Sequence, residues 1–132
     1  MALGRDLSNN VKEFIAEHVH SVPQLEVLLL LSQTGDKVWS ADAVGRELNL
    51  NPALAKTQLD DLLSDRLLVQ ADGAGAGLYR YNRPSSHLRK TVKQLGIAYA
   101  TQRVAVLTLI LAKPIDKVRL FTETFRMIRG NE

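Results

Sequence analysis

A glycine-rich hexapeptide, Asp72-Gly73-Ala74-Gly75-Ala76-Gly77, constrains the fold more than any other stretch of this 132-residue chain. Glycine takes positive φ at no steric cost, so such a tract closes a turn between paired strands. Its flanks, Leu67-Leu68-Val69-Gln70-Ala71 and Leu78-Tyr79-Arg80-Tyr81-Asn82, have strand length and end at turn residues. They predict two antiparallel neighbours in a chain whose pattern is otherwise helical. A nucleotide-binding loop is a poor reading of the tract. A phosphate loop opens a helix, so that amides and dipole converge on the anion. This one lies between strands and lacks a following Lys-Ser/Thr.

Upstream of the hairpin, Ser8 is an N-cap candidate, and Val11, Phe14, Ile15 and Val19 follow at helical spacing, predicting a short helix over 9–20. Ser21 caps a second helix with Pro23 in its first turn, where a missing N–H costs little, and with Glu26 near the positive end of the dipole. Leu25, Val27, Leu28, Leu29, Leu30 and Leu31 make that helix apolar nearly all round, so it is expected at the centre of the core, ending at Gly35. Lys37-Val38-Trp39-Ser40 has room only for a small strand, and Trp39 is expected to plug the core. Ser40 caps a third helix. After the turn Asn49-Leu50-Asn51, a fourth begins at Asn51 and Pro52, with Leu54, Leu59, Leu62 and Leu63 as its buried stripe.

Beyond Pro84 the character changes. Ser85 or Ser86 caps a helix expected to continue to position 113, roughly 40 Å at 1.5 Å per residue. Leu88, Val92, Leu95, Tyr99, Gln102, Val106 and Leu109 alternate in steps of four and three, a heptad seam interrupted once, at Gln102. The stretch VAVLTLIL could also form a strand; helix is preferred because no turn signal precedes it. Pro114 stops the helix, and a last one over 115–128 carries Phe121 and Phe125 on one face.

The order helix, short strand, helix, turn, helix, strand, glycine loop, strand fills positions 21–83. With the unit SADAVGRELNLNPALAKTQLDDLLSDRLL and the exit DDLLSDRLLVQ, it resembles the winged-helix transcriptional regulators of bacteria, the broad group of MarR-like, PadR-like and ArsR-like families. The resemblance covers about half the chain and lies in pattern. It implies a mainly α fold with a small β-hairpin: an N-terminal helix (1–20), a winged helix-turn-helix domain (21–83) and a C-terminal helical dimerisation region (84–132). It further implies a homodimer that binds duplex DNA and regulates transcription.

In that frame the fourth helix is the recognition helix, and Lys56, Thr57 and Gln58 are candidate base or phosphate contacts. Arg80, Arg83, Arg89 and Lys90, with Tyr79 and Tyr81 between and beside them, are candidate phosphate contacts. Leu88, Val92, Leu95, Tyr99, Val106, Phe121 and Phe125 are candidate dimer contacts; Val11, Phe14 and Ile15 of the first helix are the alternative, internal partner for that seam. The charge is divided: positions 1–77 hold six Lys and Arg against eleven Asp and Glu, net −5, whereas 78–132 hold eleven against three, net +8. A basic half attracts a polyanion, but it can equally attract the acidic half of the same molecule or of a second protomer. The recognition helix is itself net acidic, with Asp60 and Asp61 inside it and Asp65 at its end, and the wing tip carries no cation. These features favour the competing reading, a winged-helix protein-interaction adaptor that binds no DNA. The acids could also be a solvated face, or partners of Arg66 and the C-terminal bases.

Other chemistry finds little footing. The chain has no Cys, which removes disulfides, thiolate zinc sites and cysteine nucleophiles. His18 and His20 lie two apart and so diverge on a helix, as do Asp60 and Asp61. No metal, cofactor or enzymatic activity is expected. The N-terminus lacks an apolar signal core and the longest apolar run, 27–31, is far too short to span a bilayer, so a soluble cytoplasmic protein with no membrane partner is expected.

Overall fold

The computed structural model describes residues 7–71, 77–82 and 86–112. These form, in order, α1 (Asn9–His18), α2 (Val22–Thr34), β1 (Trp39–Ser40), α3 (Ala41–Leu48), α4 (Pro52–Ser64), β2 (Leu68–Gln70), β3 (Leu78–Tyr81), α5 (Ser86–Thr101) and α6 (Arg103–Leu111). The first four helices start at the caps read from the sequence. Ser8, Ser21 and Ser40 accept from the N–H groups of Val11, Gln24 and Ala43 at 3.2, 3.2 and 3.1 Å, and Asn51 accepts from Ala53 at 2.7 Å. Each such cap contributes about 1 kcal/mol. Gly35 (φ 62°) and Asn49 (φ 61°) end α2 and α3 in left-handed backbone.

The sheet is antiparallel, in the order β1-β3-β2. Leu68 faces Tyr81, Val69 faces Arg80 and Gln70 faces Tyr79 in the hairpin, and Trp39 and Ser40 pair with Tyr79 and Leu78 on the other edge of β3. The expected hairpin is therefore present, with a third short strand beside it. Along β3 the side chains alternate, Tyr79 and Tyr81 inward, Leu78 and Arg80 half-buried.

Helix α2 lies at the centre, with Leu25, Val27, Leu28 and Leu31 fully buried. It packs against α3, α4, α5 and β3. Trp39 is buried as expected and donates from Nε1 to Thr34 Oγ1 at 3.0 Å. The fourth-helix stripe needs one correction. Leu59 and Leu62 are buried, but Leu54 is 39% exposed, because it falls on the outer face of the first turn of α4. The turn between α3 and α4 rests on Gly45: a Cβ there would lie 2.7 Å from the Leu50 carbonyl oxygen, and Leu50 N–H donates to Gly45 O at 2.8 Å. A glycine inside a helical pattern was the available signal for this close approach.

The C-terminal segment departs from expectation. A single helix to position 113 does not form; it breaks at Gln102, the polar interruption of the seam, whose backbone (φ −133°, ψ 49°) is not helical. The axes of α5 and α6 meet at 109°. The bend turns α6 back so that α1 packs against both α5 and α6, and Val106 and Ile110 enter the core. The seam is thereby used up inside the chain. Val92, Leu95, Tyr99 and Val106, expected as dimer contacts, are at most 9% exposed, and Leu88 is half-buried against the same cluster. The internal alternative is the one realised, since α1 with Val11, Phe14 and Ile15 covers that face. Phe121, Phe125 and the terminal helix lie outside the described residues, as do the tip of the glycine loop and Arg83. Among the described residues no single helix is long and apolar enough to cross a membrane; α5 and α6 would suffice only together, bent as they are.

Two substitutions test this packing. Gly45→Ala forces the turn apart and should destabilise by about 1–3 kcal/mol in a urea or thermal melt. Leu95→Ala should cost about 2–5 kcal/mol as a core cavity while leaving the assembly state in analytical ultracentrifugation unchanged. Dissociation without loss of stability would instead mark Leu95 as an interface residue.

Candidate nucleic-acid interface

Helices α3 and α4, joined by a tight turn and followed by the antiparallel hairpin, leave the first two turns of α4 at the surface. Asn51, Ala53, Lys56 and Thr57 are exposed there. Thr57 Oγ1 donates to Ala53 O at 3.1 Å, which turns its hydroxyl along the helix. Gln58, expected beside them, is 8% exposed; its Oε1 accepts from Ser21 Oγ at 3.4 Å, at the α1–α2 junction. One residue further round the helix, it belongs to the interior, and it needs to be withdrawn from the set of contacts.

Two of the three acids on α4 and its C-cap have internal partners; the third, Asp61, is exposed. Asp60 Oδ2 accepts from Lys56 Nζ at 2.9 Å, one turn back, and Asp60 Oδ1 accepts from the Tyr79 hydroxyl at 2.6 Å. Asp65, at the C-cap, meets His18 Nδ1 of α1 at 2.9 Å. Among the described residues neither pairs with Arg66 or a C-terminal base, one of the alternatives read from sequence. The Tyr79 hydroxyl, and after it the Lys56 ammonium, holds the Asp60 carboxyl below the usual carboxylate range. Burial first, and the accepting carboxylate second, push the Tyr79 phenol up. Lys56 is raised by its hydrogen bond to Asp60. The result is a tie between α4 and the hairpin that sequence reading missed. The Lys56–Asp60 spacing of four was a visible signal. The Tyr79 partnership depends on strand register and was not.

The basic stretch divides. Arg80 lies half-buried on β3, on the face opposite Tyr79 and Tyr81. Arg89 and Lys90 are exposed in the first turns of α5. With Lys93, Val92, Tyr81 and the α2 residues Ser32 and Gln33, they line a cavity of about 560 Å³. Burial raises the Tyr81 phenol, and the charge of Arg89 partly opposes it. Lys56 and Thr57 do not line this cavity, so the candidate contacts fall into two groups, one on α4 and one at the base of the hairpin. Behind them, Tyr99 donates to Glu26 Oε2 at 2.8 Å, and the Arg103 guanidinium lies 4.4 Å from the Tyr99 ring centre, which fastens α5 and α6 to α2.

This order of elements, with its short sheet and exposed second helix of the pair, is that of a winged helix-turn-helix. Solved structures share it. A mutant of ZitR from Lactococcus lactis superposes with a TM-score of 0.51 at 11% identity, covering 88% of this chain and 77% of that one. The heme sensor protein PefR from Streptococcus agalactiae, in complex with heme, gives 0.50 at 17% identity over 92% and 80% of the two chains. A MarR family protein of Mycobacterium tuberculosis gives 0.46 at 15% identity over 90% and 82%. No protein-family model matches the chain, and no curated protein matches it. The fold is therefore shared at identities where residues of a site are not transferable.

The Tyr79–Asp60 tie has a defined pH window. The lowered Asp60 contributes stability that is complete above the unfolded carboxylate value, about 3.9, and is lost as pH falls through its folded value. The raised Tyr79 contributes below the unfolded phenol value, about 10, and its part is lost as pH rises through its folded value. Tyr79→Phe should lower stability by about 1 kcal/mol at neutral pH. The difference from the native chain should shrink in denaturant melts as pH falls through the folded value of Asp60.

Proposed function

We propose that this protein is a DNA-binding transcriptional regulator of the winged-helix kind that works as a homodimer, with 21–83 as the DNA-binding unit. The observation that carries the reading is the distribution of charge on α4. Asp60 is held by Tyr79 and Lys56 and Asp65 by His18, and all the acids, the exposed Asp61 included, lie in the second half of the helix or at its C-cap, while the first two turns, with Asn51, Lys56 and Thr57, stand exposed. Repulsion of phosphate by these carboxylates falls with distance and is least at the first turn of α4, farthest from Asp60, Asp61 and Asp65. The fold shared with ZitR and PefR supports the class. In this reading Lys56 and Thr57 meet the major groove, and Arg80, Arg83, Arg89 and Lys90 contact phosphates. The seam residues are internal, so the dimer contact falls to α6, whose outer face leaves Val104 77% and Leu111 72% exposed. Apolar side chains that project so far from an almost wholly apolar helix are covered economically by a second copy. Phe121 and Phe125 would extend the same contact.

One feature favours the competing reading, a protein-binding adaptor. Pro52, Ala53 and Leu54 make the outermost turn of α4 small and apolar, a surface suited to a protein groove as much as to base edges. Fluorescence anisotropy with genomic duplex fragments decides between them. The DNA reading expects affinity that falls about a thousandfold or more from about 50 to about 200 mM salt. Salt-insensitive or absent binding, with stoichiometric retention of a protein, favours the adaptor. For the assembly, Val104→Asp should convert a dimer to monomers in size-exclusion chromatography with light scattering and weaken DNA binding. A native chain that is monomeric at micromolar concentration contradicts the homodimer.

A further inference from the structure

Lys56 is the single lysine or arginine of α4, and its ammonium is already engaged. The carboxylate that engages it is fixed from the other side. Asp60 offers Oδ2 to Lys56 Nζ at 2.9 Å and Oδ1 to the Tyr79 hydroxyl at 2.6 Å. Tyr79 is buried and anchored at the middle of the sheet, paired with both Trp39 and Gln70. Asp60 therefore cannot swing away while that bond holds. Yet the Lys56 and Asp60 side chains are 61% and 47% exposed, so the pair sits where a nucleic-acid phosphate can reach it.

We propose that Asp60 is a positioning residue for DNA binding, an internal counter-ion that stands at Lys56 in the place of a phosphate. This rests on the DNA-binding reading given above. A phosphate oxygen that approaches Lys56 has to compete with a carboxylate held by the hairpin, and it meets the repulsion of that carboxylate as it does so. Duplex that merely supplies charge gains little from α4. Duplex whose shape and base edges also fit the exposed turns can offset the competition. Asp60 thus lowers sequence-independent binding more than specific binding, and specificity is such a difference of affinities. The Tyr79 bond makes this a property of the fold, because it sets the carboxylate at a fixed distance from the cation whatever the solvent does.

The test uses the full chain and a duplex of random sequence, titrated by anisotropy over a range of salt. Asparagine at position 60 keeps an acceptor for Tyr79 and loses only the charge. Asp60→Asn should bind the random duplex about five-fold tighter at moderate salt, and its log–log salt slope should steepen by about 0.9 for each α4 that gains a phosphate contact. Adding Lys56→Gln to that variant should return both quantities to the native values. A thermal melt monitors the fold, and ultraviolet titration should show one tyrosine ionising at lower pH once the carboxylate is gone. If the native chain shows salt-dependent binding and Asp60→Asn is indistinguishable from it, the proposal is overturned and the DNA-binding reading stands. A gain that survives Lys56→Gln also overturns it, since net charge alone would then be the cause. Failure of both chains to bind overturns the DNA-binding reading and the proposal with it. Binding by Asp60→Asn alone supports the proposal.

Discussion

Helix α2 presents apolar side chains on most of its faces, and the rest of the molecule is arranged around burying them. Four of its side chains are fully buried, and α3, α4, α5 and β3 each cover part of it. Burial of a leucine or valine contributes roughly 1.5–3 kcal/mol, so an arrangement that exposes these four does not compete. Once α4 lies against α2, its inner stripe of Ala55, Leu59 and Leu62 is fixed, and the opposite face, with Lys56 and Thr57, is fixed as the outer one. The orientation of the candidate interface is thus a consequence of core packing.

The same packing sets where the acids of α4 lie. Position 60 lies between the inner and outer faces of α4, within reach of both the β3 tyrosine and the lysine one turn back. Asp65 lies where α4 ends beside α1 and takes His18. Asp60 and Asp65 tie α4 to the hairpin and to the N-terminal helix. Asp61 is the exposed exception, and Asp60 keeps enough exposure to meet a polyanion at Lys56. Surface ion pairs contribute little by themselves. The buried tyrosine makes the Asp60 contact count for more, because it keeps the carboxylate in one place.

Much of this was legible from short-range signals. The four caps, the prolines at the starts of α2 and α4, the all-apolar α2 and the hairpin are local patterns, and they appear where those patterns put them. What escaped was long-range. The heptad spacing of Leu88, Val92, Leu95 and Tyr99 reads identically whether the covering helix is another chain or α1. Spacing records that a face is buried and leaves open what buries it. The break at Gln102 has no proline or glycine to announce it; only a polar residue in an apolar seam marks the place. Gln58 is buried and Leu54 exposed, the reverse of what the residue types suggest, because a helix that packs against α2 and also faces the hairpin has no single stripe. The Tyr79–Asp60 contact needed a strand register that residue types alone do not specify.

Amide hydrogen exchange measured with and without duplex DNA bears most directly on the claim that α4 divides into an outer reading half and an inner tethered half. The account predicts new protection over 51–57 and around Arg80 and Arg89, with no change over 60–65. Protection confined to the second half of α4, or to neither half under conditions where DNA is bound, would contradict it.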